Sequence, residues 1–306
     1  MASESPGLIT MNIPAPDIPG PKPLSDLPEA VLPAKSCDTH AHLFGPAAQY
    51  PYHSDRSYTP PDASRQDYVR LLRTLGFQRA VLVQPSVYGT DNRLLCDTLE
   101  LAKTKPWGIE WRGIAVTDAD IAESELEAMH QLGIRGIRLN MLFRGGIDFA
   151  TIQGLANRIA PLGWHLQFLI DITQFKDLAT RISALPVDSV IDHMGHFRSD
   201  QGSRHPAFTS LLSLLRDGRT WVKVTGPNRI SSQKTAPYTD AQALAQALMH
   251  ARPDRLVFGT DWPHVQIPTQ IPDDGSLVDE LYRWAEHDEQ LIQSILVGNP
   301  EKLYSF

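Results

Sequence analysis

Cysteine is scarce: the 306 residues hold two, Cys37 and Cys96. Two thiols cannot build a disulfide framework in a chain of this length, so a reducing cytoplasm is the expected setting. An excess of positive charge is also missing, with 28 Lys and Arg against 35 Asp and Glu and a formal net charge of -7. Phosphate backbones need a basic footprint, so no nucleic-acid partner is expected. No apolar run reaches the about 18–20 residues of a membrane span. The N-terminus shows no basic region followed by an apolar core, so neither a membrane nor a secretory route is expected. No G-x-G-x-x-G or G-x-x-x-x-G-K-[ST] follows a predicted strand, which leaves a dinucleotide fold and a P-loop without support.

Proline, in contrast, crowds the start. Residues 1–35 carry eight. Proline removes backbone donors and fixes φ, so this stretch reads as an arm, neither regular helix nor central strand. An arm of this kind is expected to wrap over its own domain, to wrap over a partner subunit or to be partly disordered, and a homo-oligomer is one allowed assembly. From residue 36 to 306 an alternation sets in. Short apolar runs predict strands at Lys35–Thr39, Arg79–Val83, Trp111–Val116, Gly136–Asn140, Trp164–Ile170, Ser189–Asp192, Thr220–Val224 and Arg255–Phe258. Between them, apolar residues at helical spacing predict helices at Ser64–Leu75, Asn92–Lys103, Ala122–Leu132, Ala150–Ala160, Phe175–Leu185, Pro206–Arg216 and Ala241–Ala251. Two more helices, Ser276–Trp284 and Asp288–Leu296, close the chain. Eight strands each followed by a helix is the arithmetic of an α/β fold, the (β/α)8 TIM barrel.

Polar residues collect at one end of these strands. Residues two apart on a strand share a face, so His40 and His42 project together. Paired imidazoles can bind a divalent metal or serve as proton donors and acceptors. The second strand runs into Gln84 and Ser86; the fourth carries Arg138 and Asn140, with Arg144 just beyond. His193 and His196 follow the sixth strand, Asn228 and Arg229 the seventh, Asp261 and His264 the eighth. In a barrel this end holds the active site. Each residue also has a purely structural alternative. The histidines could cap a strand, Arg138 could pair with Asp38 or Asp192, and Ser86 could bond its own turn. Arg144, Arg229, His196 and His264 could be solvated loop residues. Buried polar groups are costly unless they pair or work, and their collection at strand ends favours a working site.

Several of these residues resemble the amidohydrolase superfamily: His40-x-His42, the strand-6 His193 and the strand-8 Asp261. Cys37-Asp38-Thr39-His40, Phe44-Gly45-Pro46, Tyr50-Pro51-Tyr52, Gln84-Pro85-Ser86, Arg138 with Arg144, Asp192-His193-Met194-Gly195, Trp221-Val222-Lys223-Val224-Thr225, Asp261-Trp262-Pro263-His264 and Gly298-Asn299-Pro300-Glu301-Lys302-Leu303-Tyr304 together resemble its 2-pyrone-4,6-dicarboxylate lactonase group. The resemblance implies hydrolysis of a small acidic lactone in aromatic-compound catabolism. It also implies catalysis without a metal cofactor: strand 4 offers Arg138 and Asn140 in place of a bridging Lys or Glu, and His165 stands at the start of strand 5, not its end. A single zinc on His40, His42, His193 and Asp261 is the alternative, since three nitrogens and a carboxylate form an acceptable set. This sequence departs from the group at His196, where the resemblance predicts Arg, and at Leu169, where it predicts Tyr.

Lactone opening needs a base for water, donors for the oxyanion and anchors for acid groups. Asp261 is assigned as base. His40, His42 and His193 are expected to polarise the carbonyl, and Arg138 and Arg144 to bind carboxylate or sulfonate oxygens. Arg229, Ser86, Tyr52 and His264 are further substrate contacts. A zinc-dependent sulfomuconolactonase, a decarboxylase of the same superfamily and a non-catalytic small-acid binder are the competing readings.

Overall fold

Runs such as Arg-Ala-Val-Leu-Val at 79–83 and Thr-Trp-Val-Lys at 220–223 do not alternate polar with apolar, and every residue in them is buried. That is the pattern of strands covered on both faces, as in a parallel sheet wrapped by helices. The structure is a computed structural model that describes residues 15–23, 27–105, 107–142, 149–267 and 270–306. Eight strands appear among the described residues: β1 (Cys37–Ala41), β2 (Arg79–Val83), β3 (Glu110–Ala115), β4 (Ile134–Asn140), β5 (His165–Leu169), β6 (Ser189–Ile191), β7 (Thr220–Lys223) and β8 (Leu256–Val257). They pair in sequential order, each parallel to the next. The helices α1 (Arg65–Leu75), α2 (Arg93–Thr104), α3 (Glu123–Leu132), α4 (Phe149–Ile159), α5 (Leu178–Ser183) and α6 (Pro206–Asp217) connect β1 through β7 in turn. A one-turn α7 (Pro227–Ile230) and α8 (Thr239–Ala251) lead to β8, and α9 (Asp274–Trp284), α10 (Glu289–Gln293) and α11 (Asn299–Tyr304) finish the chain. The fold is a (β/α)8 TIM barrel, as its alternation predicted.

Local chemistry sets the element ends. Ser64 and Asp67 form a reciprocal capping box at the start of α1, which Gly76 ends in the left-handed region. Some boundaries differ from the sequence reading. The fifth helix, Leu178–Ser183, is shorter than the expected Phe175–Leu185, and a separate 3-10 turn at Ile172–Gln174, capped by Asp171, precedes it. The last predicted helix divides: α10 runs into a π-turn at Ser294–Gly298 before α11. The one-turn α7 is too short to leave a periodic signature.

The eighth strand is only two residues long, and the barrel meets β1 through backbone bonds beyond it. Thr39 N donates to Phe258 O (3.0 Å), Asp261 N to His40 O (2.8 Å) and His42 N to Trp262 O (2.8 Å). Glycine is required here. A Cβ on Gly259 would lie 2.6 Å from His40 N, so any larger residue would push the two segments apart. The carboxylate of Asp38 ties the same seam. It accepts from His40 N (3.1 Å), Thr260 N (2.9 Å), the Thr260 hydroxyl (2.7 Å) and the Tyr68 hydroxyl of α1 (2.9 Å).

The described parts of the proline-rich arm lie along the barrel. Ile18 N bonds Thr59 O (3.0 Å), Asp279 accepts from Glu29 N (3.1 Å) and Ala30 N (3.0 Å), and the Tyr282 hydroxyl donates to Val31 O (2.7 Å). At the end of the barrel opposite the strand C-termini, His165 packs its ring against Tyr304, 5.4 Å between centroids. This is a packing role, in line with its place at the start of β5.

Burial pushes Asp38 up to about 6 from the usual 3.8, with the bonds from Thr260, His40 N and Tyr68 opposing the rise. The folded protein therefore loses stability as pH climbs from about 4 through 6 and this group ionises. The Tyr68 hydroxyl matters most once the carboxylate is charged. Tyr68→Phe keeps the ring against Trp262 and is expected to cost about 1.5–3 kcal/mol at pH 8. In urea unfolding the cost should be smaller at pH 5; equal costs at the two pH values would count against this account of the seam.

Candidate active site

The seam bonds bring the end of β1 and the loop after β8 into register, so His40, His42 and Asp261 converge, and the loop after β6 adds His193. The His40 ring lies 5.0 Å from His42 and 4.7 Å from His193, centroid to centroid. Asp261 Oδ1 sits 3.8 Å from both His40 Nε2 and His193 Nε2. Its other oxygen accepts from Arg229 Nε at 2.6 Å, and Arg229 also donates to Val265 O (3.1 Å). The backbone is held in the left-handed region at His193 (φ 48°), Met194 (50°), His196 (48°), Asp261 (67°) and His264 (65°). Non-glycine residues in that region are strained, and strain concentrates where the surrounding fold must aim a side chain.

Burial favours the uncharged form of His40, His42, His193 and His196. Burial lowers His42 to about 3, with Arg138 adding to the effect, and lowers His196 to about 3, with Arg229 adding. His40 and His193 are held well below the usual range by burial, then by Lys223 for His40 and by His40 for His193. His42 Nδ1 lies 2.7 Å from Val83 O. A carbonyl only accepts, so Nδ1 carries the proton and Nε2 presents a lone pair.

Beneath the histidines lies a buried ion pair. Lys223 and Asp192 are both fully buried. Lys223 Nζ donates to Thr39 O (2.8 Å) and lies 3.2 Å from His40 Nδ1 and 3.7 Å from Asp192 Oδ1. Burial lowers Lys223 to about 8, and Asp192 opposes the fall. Burial raises Asp192, but the Lys223 and Arg138 cations outweigh it and leave the carboxyl below its usual range. Asp192 also accepts from Gln167 Nε2 (3.1 Å).

Each residue singled out in the sequence can now be located. Arg138 sits in β4, 3.6 Å from Asp192 through Nε, and donates to Gln84 O (3.3 Å). Its pairing is with Asp192; Asp38 is engaged at the seam. Arg144 lies outside the described residues. Ser86 opens the 3-10 turn after β2 and lies close enough to the buried Tyr58 hydroxyl to influence its ionisation. The Tyr52 hydroxyl donates to Pro60 O (3.1 Å), and no described contact brings it to the histidines. His264 Nε2 bonds Asp274 Oδ1 (2.8 Å), fastening the β8 loop to α9. Gln84 and Asn140 are spent on local turns, through Asp91 O (2.8 Å) and Leu142 N (3.3 Å).

Three residues at the site were given no part in the chemistry from the sequence, where Asp192 was named only as a structural partner of Arg138 and Lys223 only within a motif. Lys223 and Asp192 support the histidines from below; a lone lysine inside the apolar Trp-Val-Lys-Val run was the available signal. Tyr58 gave no signal, since it comes from an irregular loop. Burial pushes its hydroxyl up to about 12, with Arg138 and Arg229 pulling the other way.

Among the described residues, His40 Nε2, His193 Nδ1, His196 Nε2, both side-chain amide atoms of Asn228, Asp192 Oδ1 and Asp261 Oδ1 are buried with no hydrogen-bond partner in the protein. Buried polar atoms are normally satisfied, so such a group around a barrel mouth marks a place that a polar ligand completes. Two donor groups could also approach a metal ion: His40, Asp192 and His193, and His40, His42 and Asp261, with ligand atoms within 4.8 Å of one another in each. Neutral imidazoles and carboxylates are suitable donors, and the His42 Nε2 lone pair fits that chemistry. Lys223, however, stands against His40 and Asp192, and Arg229 against Asp261, so cations already occupy the neighbourhood of these donors.

Residues 37–306 match the amidohydrolase family model. The 2-pyrone-4,6-dicarboxylate hydrolase of Comamonas testosteroni is 36% identical over 289 residues, covering 90% of this chain and 92% of that protein. The 4-sulfomuconolactone hydrolase of Hydrogenophaga intermedia is 34% identical over 279 residues, covering 90% of each. An apo crystal structure from Agrobacterium tumefaciens superposes with a TM-score of 0.81 at 27% identity, covering 91% of this chain and 98% of that one. The barrel, the strand-end constellation and these similarities agree: the chain belongs to the amidohydrolase family.

Proposed function

We propose that this enzyme hydrolyses a small acidic lactone, 2-pyrone-4,6-dicarboxylate or a close analogue, in aromatic-compound catabolism, with Asp261 as the base and no metal cofactor. One observation carries the assignment. Asp261 has one oxygen pinned by Arg229 at 2.6 Å and the other buried, without a hydrogen-bond partner, between His40 and His193. A carboxylate fixed in orientation with one free oxygen is suited to take a proton from water.

Water oxygen attacks the lactone carbonyl carbon while its proton passes to Asp261 Oδ1. Negative charge grows on the carbonyl oxygen, where N–H groups from His40 and His193 stabilise it. The ring C–O bond then breaks, and the leaving oxygen takes up the proton, giving the ring-opened acid. His42 has a different task from the donor role its sequence position suggested. Its Nε2 lone pair accepts a hydrogen bond and so orients the attacking water. Arg138, with Arg144 from outside the described residues, holds acid groups of the substrate. Arg229 fixes Asp261. Ser86 with Tyr58 forms a polar rim, and Tyr52 and His264 act through the loops they fasten. The homologous lactone hydrolases support the substrate class.

Cys37 and Cys96 are free thiols, which supports a reducing cytoplasm as the site of action. Among the described residues no helix is long and apolar enough to cross a membrane. A zinc-dependent lactonase is the second reading, favoured by the two donor groups; an ion bound there would polarise the lactone carbonyl.

Ring opening of 2-pyrone-4,6-dicarboxylate, followed by its ultraviolet absorbance, tests the proposal. Activity is expected to survive a chelator in protein carrying far less than one metal per chain. Stoichiometric zinc with chelator-sensitive turnover would establish the second reading instead. Asp261→Asn should lower kcat by about 10²–10⁴-fold with KM little changed; retained kcat would remove Asp261 as base. Arg138→Lys keeps a cation beside Asp192 but loses the planar fork, so KM should rise about tenfold. An unchanged KM would take Arg138 out of the substrate site.

A further inference from the structure

We propose that Lys223 is a positioning residue that fixes His40 in its Nε2–H tautomer, so that His40 meets the substrate as a hydrogen-bond donor. Lys223 ends β7, fully buried, and its ammonium faces three groups. Thr39 O is 2.8 Å away, His40 Nδ1 3.2 Å and Asp192 Oδ1 3.7 Å. An ammonium has three protons and no lone pair. With Asp192 as its counter-ion it can only donate, so His40 Nδ1 must accept. A neutral imidazole that accepts at Nδ1 carries its proton on Nε2.

The rival partner for Nδ1 is Asp192, whose Oδ1 lies 3.4 Å away. No hydrogen bond forms along that line, since Asp192 Oδ1 remains without a partner. The lysine therefore decides the tautomer. His40 Nε2–H then points into the site with no partner in the protein, 3.8 Å from Asp261 Oδ1. His42, 5.0 Å away, is fixed the opposite way by Val83 O. Two adjacent neutral imidazoles thus present opposite faces: His40 donates and His42 accepts. The pair sorts the reactants, with the carbonyl oxygen of a substrate at His40 and water at His42 and Asp261. The same tautomer leaves His40 without a lone pair at Nε2 for a divalent ion.

The test is a long-range ¹H–¹⁵N spectrum of the full-length protein labelled at histidine, with His40 assigned by the signals lost in His40→Gln. The expected pattern is a protonated Nε2 and an unprotonated Nδ1. A protonated Nδ1 with a bare Nε2, or a metal-shifted Nε2, would overturn the proposal. Lys223→Met should move the His40 proton to Nδ1, where it can be donated to Asp192, and lower kcat about 10²-fold with KM within about threefold. An unmoved tautomer in that variant would refute the role of the lysine. Should Lys223→Met not fold, the double variant Lys223→Met with Asp192→Asn removes both buried charges, and the same spectrum reads whether the Nε2–H preference is lost as expected or, against the proposal, persists. The kinetic arm rests on the lactone reading; the spectrum does not. An Nε2–H His40 in a protein that fails to open any lactone would refute that reading and leave this one standing.

Discussion

The active site depends on one constraint, the closure between β1 and the segment after β8. The bond from Asp261 N to His40 O (2.8 Å) makes the proposed base and the proposed donor neighbours through their backbones, before any side chain contributes. Gly259 permits that approach, and Asp38 holds it with four accepted hydrogen bonds from β1, the β8 loop and α1. A carboxylate with four donors is well satisfied although it is fully buried. The seam is also where regular pairing ends, since β8 is two residues long. Irregular backbone at a strand end can turn a side chain inward, as the positive φ at Asp261 does.

Charge is layered above that seam. Lys223 and Asp192 pair inside the barrel, and Arg229 pairs with Asp261 nearer the mouth. The imidazoles lie between the two ion pairs and stay neutral because burial penalises their charged form. Neutral histidines are the useful ones here. Each has one N–H and one lone pair, and a fixed neighbour at one nitrogen determines what the other offers. Val83 O sets this for His42 and Lys223 for His40.

The barrel was legible because it is written in periodicity and repetition: strands buried on both faces, helices with one apolar stripe, and glycine stops such as Gly76 and Gly133. The ends of β1, β6 and β8 were legible too, since a barrel gives residues there a shared destination. What the sequence concealed was pairing. Asp192 and Lys223 lie 31 positions apart, and only the closed barrel shows that they meet. Tyr58 comes from an irregular loop whose path no pattern predicts. The histidine tautomers were beyond any sequence, because they depend on single hydrogen-bond partners such as a backbone carbonyl. His264 is a related case: it reads from the sequence as a substrate contact, and the structure adds a pairing the sequence does not show, its Nε2 with Asp274 of α9.

The layering also bears on which ligand the site prefers. Across the whole chain acidic groups prevail, with a net charge of -7. Inside the barrel the described charges are even: Lys223, Arg138 and Arg229 meet the carboxylates Asp38, Asp192 and Asp261. Asp192 is shared by two of the cations, Lys223 and Arg138. On the proposed function, an acid group of the substrate gives Arg138 a second anionic partner, which a neutral substrate does not. His196 refines that preference: buried beside His193 and kept uncharged, it offers an unpartnered nitrogen where a guanidinium would offer a charge. On the proposed function, a substrate group against His196 would be recognised by hydrogen bonding, and the acid groups by Arg138 and Arg144.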